Sequence, residues 1–255
     1  LIFVCLITLF PIIAIVTASF SEGTNFVQST LLPESWTFDN YKKVIENTDF
    51  LIWMKNSLII CFSVSIIQLL ITIPAAFAFS KLKFKFKSKG LLMLIILQMF
   101  PATMALPAIL AVAYKINGMD SFLVLILIQC AGSAYKGYID GIPNELIEAS
   151  YVDGATTFQT FIKVILPLMK SMIAVIFLLS FINAYSEFMF TSALMKDTAN
   201  QTLATGLRTF IRDKFSANWT QYSAAAVMSS VPIVALFLAN QNFMAKGLTA
   251  GAVKG

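Results

Sequence analysis

The longest polar, charge-bearing segment lying between two apolar runs is 145–167, with the sequence ELIEASYVDGATTFQTFIKVILP. It carries the acidic residues Glu145, Glu148 and Asp153, and the rest of the chain is expected to hold it at a membrane surface. No histidine accompanies these carboxylates as a base near neutral pH, because the chain contains none. We therefore do not expect a catalytic site in this segment.

The remaining residue types give little support to an enzyme or a metal site. Cys5, Cys61 and Cys130 are far apart and each lies in an apolar run, which predicts packing rather than a disulfide or a zinc site. The chain has no Gly-Lys dipeptide and so no phosphate-binding loop for ATP. It has no H-E-x-x-H or G-x-S-x-G motif either. We therefore expect a non-catalytic chain that binds no cofactor or metal of its own.

Local signals within the polar segment predict a helix, a sharp turn and a second helix. Pro143–Asn144 are typical of a helix start, and Asp153–Gly154 of a helix end, since glycine adopts the left-handed conformation without steric cost. Thr156-x-x-Gln159 matches a capping box that opens the second helix. Pro167 then marks the next boundary. An ordinary amphipathic connector resting on the bilayer would show the same pattern, so function must be argued from the particular residues.

Composition places these elements in a membrane. The chain has 255 residues, of which 58% are hydrophobic and 12% charged, and its mean hydropathy is +0.81; soluble domains average roughly 25% charged residues. Apolar runs of about 20 residues predict transmembrane helices. We expect an all-α, polytopic protein with one transmembrane domain over 1–255 and six transmembrane helices. The predicted spans are 1–20, 56–79, 91–114, 122–135, 168–190 and 223–243.

Two positions suggest that the natural chain is longer. The sequence begins at Leu1, inside an apolar run, which predicts residues before it. The fourth span has only 14 residues before Lys136, fewer than the roughly 20 that a crossing needs. Either this helix is broken and buried in protein, or the natural chain has further residues between Ser133 and Lys136. We favour the second interpretation.

Charge sets the predicted topology. Five lysines alternate with apolar residues in the loop 80–90, and a lysine run between two spans indicates the cytoplasmic side more often than a nucleic-acid patch. The predicted inside carries ten lysines and arginines and the outside eight. Extracytoplasmic loops are expected at 21–55 and 191–222, with Trp36 and Trp53 as interfacial aromatics. The cytoplasmic side is expected to hold loops 80–90 and 137–170 and the tail 245–255.

The polar segment resembles the EAA signature of the membrane-spanning subunits of bacterial ABC importers. The similar residues are Glu148-Ala149-Ser150, Asp153-Gly154-Ala155, Phe161 and Ile165-Leu166-Pro167. Ser150 replaces the second alanine, and Ser171 stands where many members carry another proline. The resemblance implies that this loop is a cytoplasmic coupling helix that docks into a separate ATPase. It assigns ATPase coupling to Glu148, Ala149, Ser150, Asp153, Gly154, Ala155, Phe161, Leu166 and Pro167.

The last part of the chain resembles a smaller group within these importers. NWTQYSAAAVMSSVPI at 218–233 and KGLTAGAVKG at 246–255 are similar to the closing region of the second permease in maltose/maltodextrin importers. This implies a bacterial plasma-membrane assembly with a second, unlike permease, two copies of a cytoplasmic ATPase that bind ATP and Mg, and an extracytoplasmic sugar-binding protein. It also implies that the tail inserts towards the ATPases. By itself, the glycine-rich tail is expected to be disordered or extended.

The resemblance also suggests where sugar and binding protein are contacted. Five polar or aromatic residues lie at a depth in the predicted spans where they could form hydrogen bonds with sugar hydroxyls. They are Gln68, Gln129, Asn183, Tyr185 and Glu187. Packing between helices is the alternative for each, since interhelical hydrogen bonds worth ~0.6 kcal/mol are common. Arg212, Asp213 and Lys214, in the loop 191–222, are the candidates for contact with the binding protein, and an ordinary solvated loop is the alternative.

Two other transport functions stay open. An ion-coupled secondary transporter needs intramembrane ion chemistry, for which Glu187 is the only candidate carboxylate, and no inverted repeat is evident. An ABC permease for a different sugar would share every feature above.

Overall fold

The computed structural model is predominantly helical over the residues it describes, which are 2–24, 32–33, 35–99, 101–131, 144–212 and 217–252. The α-helices are α1 (Ile2–Ser19), α2 (Asp39–Asn47), α3 (Phe50–Lys81), α4 (Lys87–Met99), α5 (Leu106–Lys115), α6 (Phe122–Cys130), α7 (Asn144–Val152), α8 (Thr157–Thr160), α9 (Leu166–Leu168), α10 (Lys170–Tyr185), α11 (Met189–Leu194), α12 (Leu203–Gly206) and α13 (Trp219–Ala252). Within those residues the only extended pairing is an isolated bridge between Ser21 and Trp36. The expected all-α class is confirmed.

Residue contacts divide the chain into two compact units. Unit 1 comprises Leu1–Ile59 and Tyr185–Ala235, and unit 2 comprises Ile60–Ala184 and Leu236–Gly255.

Unit 1 is held together by a buried polar network at the start of α13. Asn40 of α2 donates from Nδ2 to the carbonyls of Ser19 (3.0 Å) and Ser21 (2.8 Å). Thr220, which is fully buried, donates from Oγ1 to the carbonyl oxygen of Gly23 at 2.6 Å. Buried polar groups are costly unless they are hydrogen-bonded, so these bonds fix α2 and α13 to the chain that follows α1.

Unit 2 has a core in which the second half of α3 meets the polar segment. Ile73, Ala76 and Phe77 of α3 pack with Ile147, Ile165 and Met169. Ile165 is completely buried. Burying a large aliphatic side chain stabilises a fold by about 1.5–3 kcal/mol. The polar segment is therefore anchored on α3 by its apolar residues.

Two helices in the described part of the chain are long and apolar enough to cross a membrane, Phe50–Lys81 and the portion Trp219–Gln241 of α13. A third crossing is obtained if Thr157–Leu168 and Lys170–Ser186 together form one span, although they meet at a bend of 77°. Phe3–Ser19 and Thr103–Lys115 are apolar but shorter. The predicted fourth span falls partly on 132–143, outside the described residues.

Several helix boundaries differ from those of the predicted spans. The helix that contains the second predicted span begins at Phe50 rather than 56, and Oγ1 of Thr48 accepts the backbone N–H of Phe50 at 3.3 Å. Within the third, α4 ends at Met99 and α5 begins at Leu106, with a 3₁₀ turn over Ala102–Ala105 that follows Pro101. Within the fifth, α10 ends at Tyr185 rather than 190, and the carboxylate of Glu187 accepts N–H groups at the start of α11.

The tail also differs from the expectation of a disordered or extended chain. Helix α13 continues without interruption to Ala252. Extending an existing helix adds one hydrogen bond for each residue fixed, whereas a new helix must first be nucleated. A glycine inside a helix costs only about 1 kcal/mol relative to alanine, so Gly247 and Gly251 do not end α13.

Trp53 is a core residue of unit 1, not the interfacial aromatic that its place in the sequence suggested. Its side chain is buried, and its ring centroid lies 6.3 Å from that of Phe210. It also lies against Gly206, where an added Cβ would overlap the indole ring. Trp36 is exposed. Because α12 packs so closely on α3, Gly206 is required for the contact.

Candidate functional site: a coupling helix–turn–helix and an aromatic cleft

The predicted turn in the polar segment is present and closes α7 tightly. Gly154 has a φ of +81°, in the left-handed region that favours glycine. Its N–H donates to the carbonyl of Tyr151 at 3.0 Å, and the N–H of Ala155 donates to that of Ser150 at 2.9 Å. These two bonds form a Schellman motif, which satisfies the last carbonyls of α7.

The second arm begins with the predicted capping box. The backbone N–H of Gln159 donates to Oγ1 of Thr156 at 3.3 Å, and that of Thr156 donates to Oε1 of Gln159 at 2.8 Å. The arms are joined by a hydrogen bond of 2.8 Å between the hydroxyls of Ser150 and Thr160. Both side chains are buried. The helix–turn–helix is therefore stabilised by hydrogen bonds between its own residues.

The base of the helix–turn–helix packs on α3. Phe161 lies with its ring centroid 5.1 Å from that of Phe77. At the start of α7, Oδ1 of Asn144 accepts from Nζ of Lys81 at 2.9 Å. Ile147 and Ile165 complete the apolar contact. Both arms are thus attached to one long helix.

The tip of the helix–turn–helix is exposed and apolar as well as charged. Val152 and Phe158, on either side of Gly154, are 87% and 73% exposed. Glu148 and Asp153 are also exposed. Exposed apolar patches rimmed by polar residues can mark a protein–protein contact. Of the candidate coupling residues, Glu148, Ala149, Asp153 and Gly154 are exposed, Ala155, Phe161 and Leu166 are half-buried, Ser150 is buried, and Pro167 is exposed.

A break follows the second arm. Residues Phe161–Ile165 form a π-helical turn in which the N–H of Leu166 donates to the carbonyl of Phe161. Pro167 lies in the first turn of α9, where its missing N–H is tolerated, as predicted. The 77° bend comes at Met169, two residues later.

The candidate substrate-path residues are divided between the two units. In unit 2, Gln68 is buried, Asn183 is exposed, and Gln129 has both amide atoms buried without a hydrogen-bond partner among the described residues. In unit 1, the hydroxyl of Tyr185 donates to the carbonyl of Ser229 at 2.7 Å. The carboxylate of Glu187 accepts from two backbone N–H groups and from Oγ1 of Thr191 (2.7 Å), which is a structural use of this charge.

Unit 1 also contains a cleft of about 460 Å³. Its lining residues are Tyr185, Ser186, Phe188, Leu203, Ala204, Leu207, Arg208, Ile211, Tyr222 and Ser229. The guanidinium carbon of Arg208 lies 5.1 Å from the ring centroid of Phe188. Sequence reasoning included Tyr185 but missed Phe188, Arg208 and Tyr222; the last two lie 20 and 34 positions after Phe188, so no local spacing links them to it. Arg212 is exposed, while Asp213 and Lys214 lie outside the described residues.

The fold and this surface define a helical membrane protein that carries a helix–turn–helix with an exposed tip. Residues 54–249 match the family described as binding-protein-dependent transport system inner membrane component, and the chain belongs to that family. It is therefore a transport component of the inner membrane.

Similar proteins extend over nearly the whole chain. The maltodextrin transport system permease protein of Bacillus subtilis is 31% identical over 98% of this chain and 92% of its own length. The galactooligosaccharides transport system permease protein of the same organism is 32% identical, over 99% and 93%. The maltose/maltodextrin transport system permease protein of Escherichia coli K12 is 34% identical, over 97% and 91%.

A solved structure shows the same fold. A bacterial ABC transporter involved in the import of the acidic polysaccharide alginate contains a chain with a TM-score of 0.80 to this one. The alignment covers 95% of this chain and 92% of the other, at 22% identity.

Proposed function

We propose that this chain is a transmembrane subunit of an ABC importer that takes up a maltodextrin-type oligosaccharide by alternating access. The observation that carries this proposal is its similarity, over at least 97% of the chain, to permeases named for maltose and maltodextrin transport. The match to the binding-protein-dependent family supports delivery of the sugar by an extracytoplasmic binding protein.

The helix–turn–helix docks into a cytoplasmic ATPase in this proposal. Support comes from its construction, since an exposed tip with Val152 and Phe158 stands on a base buried against α3. Burial of these two side chains in a partner would favour association, and Glu148 and Asp153 add charge at the contact. Two copies of the ATPase bind ATP and Mg and hydrolyse the ATP. The helix–turn–helix connects this non-catalytic chain to them.

The proposed assembly includes a second, unlike permease in the lipid bilayer. The chain contributes six transmembrane helices, with the lysine-rich segment and the helix–turn–helix on the cytoplasmic side. Arg212, Asp213 and Lys214 contact the binding protein on the other side. The exposed apolar side chains of α1 and α4 fit a lipid or subunit environment.

A second candidate function is import of galactooligosaccharides, which the similar permease of that name favours. Competition separates the two sugars. Cells that lack their own oligosaccharide importers receive the complete assembly and are given either radiolabelled maltotriose or a radiolabelled galactooligosaccharide. Saturable uptake should be seen with maltotriose, should be reduced by unlabelled maltodextrins and should not be reduced by galactooligosaccharides. Saturable uptake of the galactooligosaccharide alone would assign the second function, and no saturable uptake of either sugar would contradict the proposal.

A further inference from the structure

The cleft of unit 1 combines aromatic faces with one cation. Tyr185, Phe188 and Tyr222 contribute rings, and Arg208 contributes a guanidinium. Small-molecule sites are typically clefts of about 300–1,000 Å³ with apolar walls and a few convergent polar groups. At about 460 Å³ the cleft falls within this range. Six of its ten lining residues lie in the segment 191–222, which the proposed topology places on the extracytoplasmic side.

The guanidinium of Arg208 retains donors for a ligand. The side chain is exposed and rests on the ring of Phe188, and within the described residues no carboxylate pairs with it. The neighbouring acid, Glu187, accepts hydrogen bonds from the backbone of Phe190 and Thr191. Stacking on an aromatic ring orients the planar fork of an arginine without using its N–H groups.

Tyr185 and Tyr222 in the cleft are held by different contacts. The hydroxyl of Tyr185 donates to the carbonyl of Ser229, and this hydrogen bond holds the buried side chain in the wall of the cleft. The ring of Tyr222 lies edge-on to that of Trp219, with centroids 5.9 Å apart. Ser229 uses its own hydroxyl to donate to Ala225. Among the lining residues, Arg208 therefore provides the charged group for polar recognition.

This combination fits a neutral sugar better than an anion. Aromatic and aliphatic walls match the C–H faces of a pyranose ring, while two N–H groups of one arginine can donate to adjacent hydroxyls. A polyanion such as a phosphate would favour several cations, and Arg208 is the only cation among the lining residues. We infer that the Arg208 cleft is a subsite for pyranose units of the imported oligosaccharide. This inference rests on the proposed function and adds a sugar contact to this subunit.

The test uses the complete assembly with variants in this chain. Saturation-transfer NMR titrations with maltotriose, without the binding protein, give the dissociation constant. Arg208→Ala should raise it about tenfold, the loss expected when charge-assisted hydrogen bonds are removed. Arg208→Lys should raise the dissociation constant about threefold, because lysine keeps the charge but not the planar fork.

The tyrosine variants test the aromatic wall. Tyr222→Leu should weaken binding of maltotriose, while Tyr222→Phe should leave it nearly unchanged. Lys43→Ala, which removes an exposed charge from α2, is the matched control and should bind like wild type.

A second measurement excludes a docking role. The affinity of the assembly for the binding protein, and retention of the partner permease, should be the same in Arg208→Ala as in wild type. Loss of either would overturn the inference and make Arg208 a protein contact. An unchanged dissociation constant in Arg208→Ala, in an assembly that takes up maltotriose, would also overturn the inference while leaving the proposed function intact. Failure of the wild-type assembly to take up maltotriose would instead contradict the function.

Discussion

Gly154 is the residue on which the geometry of the helix–turn–helix depends. Its φ of +81° costs a residue with a side chain about 1–2 kcal/mol, and a β-branched residue is a genuine outlier there. Apart from Gly154 itself and its two chain neighbours, no heavy atom of the described residues lies within 4 Å of the position that a Cβ would occupy, so the penalty comes from the backbone rather than from a clash.

We predict that Gly154→Val inserts into the membrane but loses ATPase association and ATP-driven uptake. Gly154→Asn should retain most of both, because asparagine tolerates the left-handed conformation. Co-purification of the ATPase with each variant and uptake by the same cells measure the effect. Wild-type uptake in the valine variant would contradict the docking role of the turn.

Ser150 and Thr160 connect the two arms, and their bond gives a second prediction. Ser150→Ala leaves the buried hydroxyl of Thr160 without this partner, which costs about 1–3 kcal/mol. Adding Thr160→Val removes both hydroxyls and should recover part of the loss. Thermal unfolding midpoints of the purified assembly report the effect. Equal midpoints for Ser150→Ala and wild type would show that the bond does not stabilise the loop.

Among the elements, α13 gives the third prediction. The helix continues to Ala252, so the proposed approach to the ATPases involves a helical extension for most of the tail. A chain truncated after Lys246 should insert normally but show weakened ATPase association or poorer coupling of hydrolysis to uptake. Both are measured on the purified assembly. Wild-type uptake together with wild-type complex stability would show that the tail is only a chain end.

The helices and turns also show which local structures could be predicted from the sequence. The turn at Gly154 and the capping box of Thr156 and Gln159 were predictable because each depends on residues within one or two helical turns. The end of α10 was not, because an apolar run does not reveal that Glu187 will cap the next helix. The contact between Arg208 and Phe188 joins residues 20 positions apart, which no helical period connects.

At the scale of the whole molecule, composition predicted a helical membrane protein, and the family assignment confirmed a transport component of the inner membrane. Composition could not predict an energy source or a substrate, because these depend on partners outside the chain. Nor did hydropathy reveal the two compact units, whose boundaries fall inside or at the ends of apolar helices.

The central claim, that this chain belongs to an ATP-driven importer, is tested most directly in proteoliposomes. The full assembly is reconstituted with binding protein and radiolabelled maltotriose outside. Uptake is compared between vesicles containing ATP and Mg, vesicles containing ADP, and vesicles given only a proton or sodium gradient. We predict accumulation with ATP and binding protein together and background levels otherwise. Accumulation driven by an ion gradient without ATP would contradict the account and favour a secondary transporter.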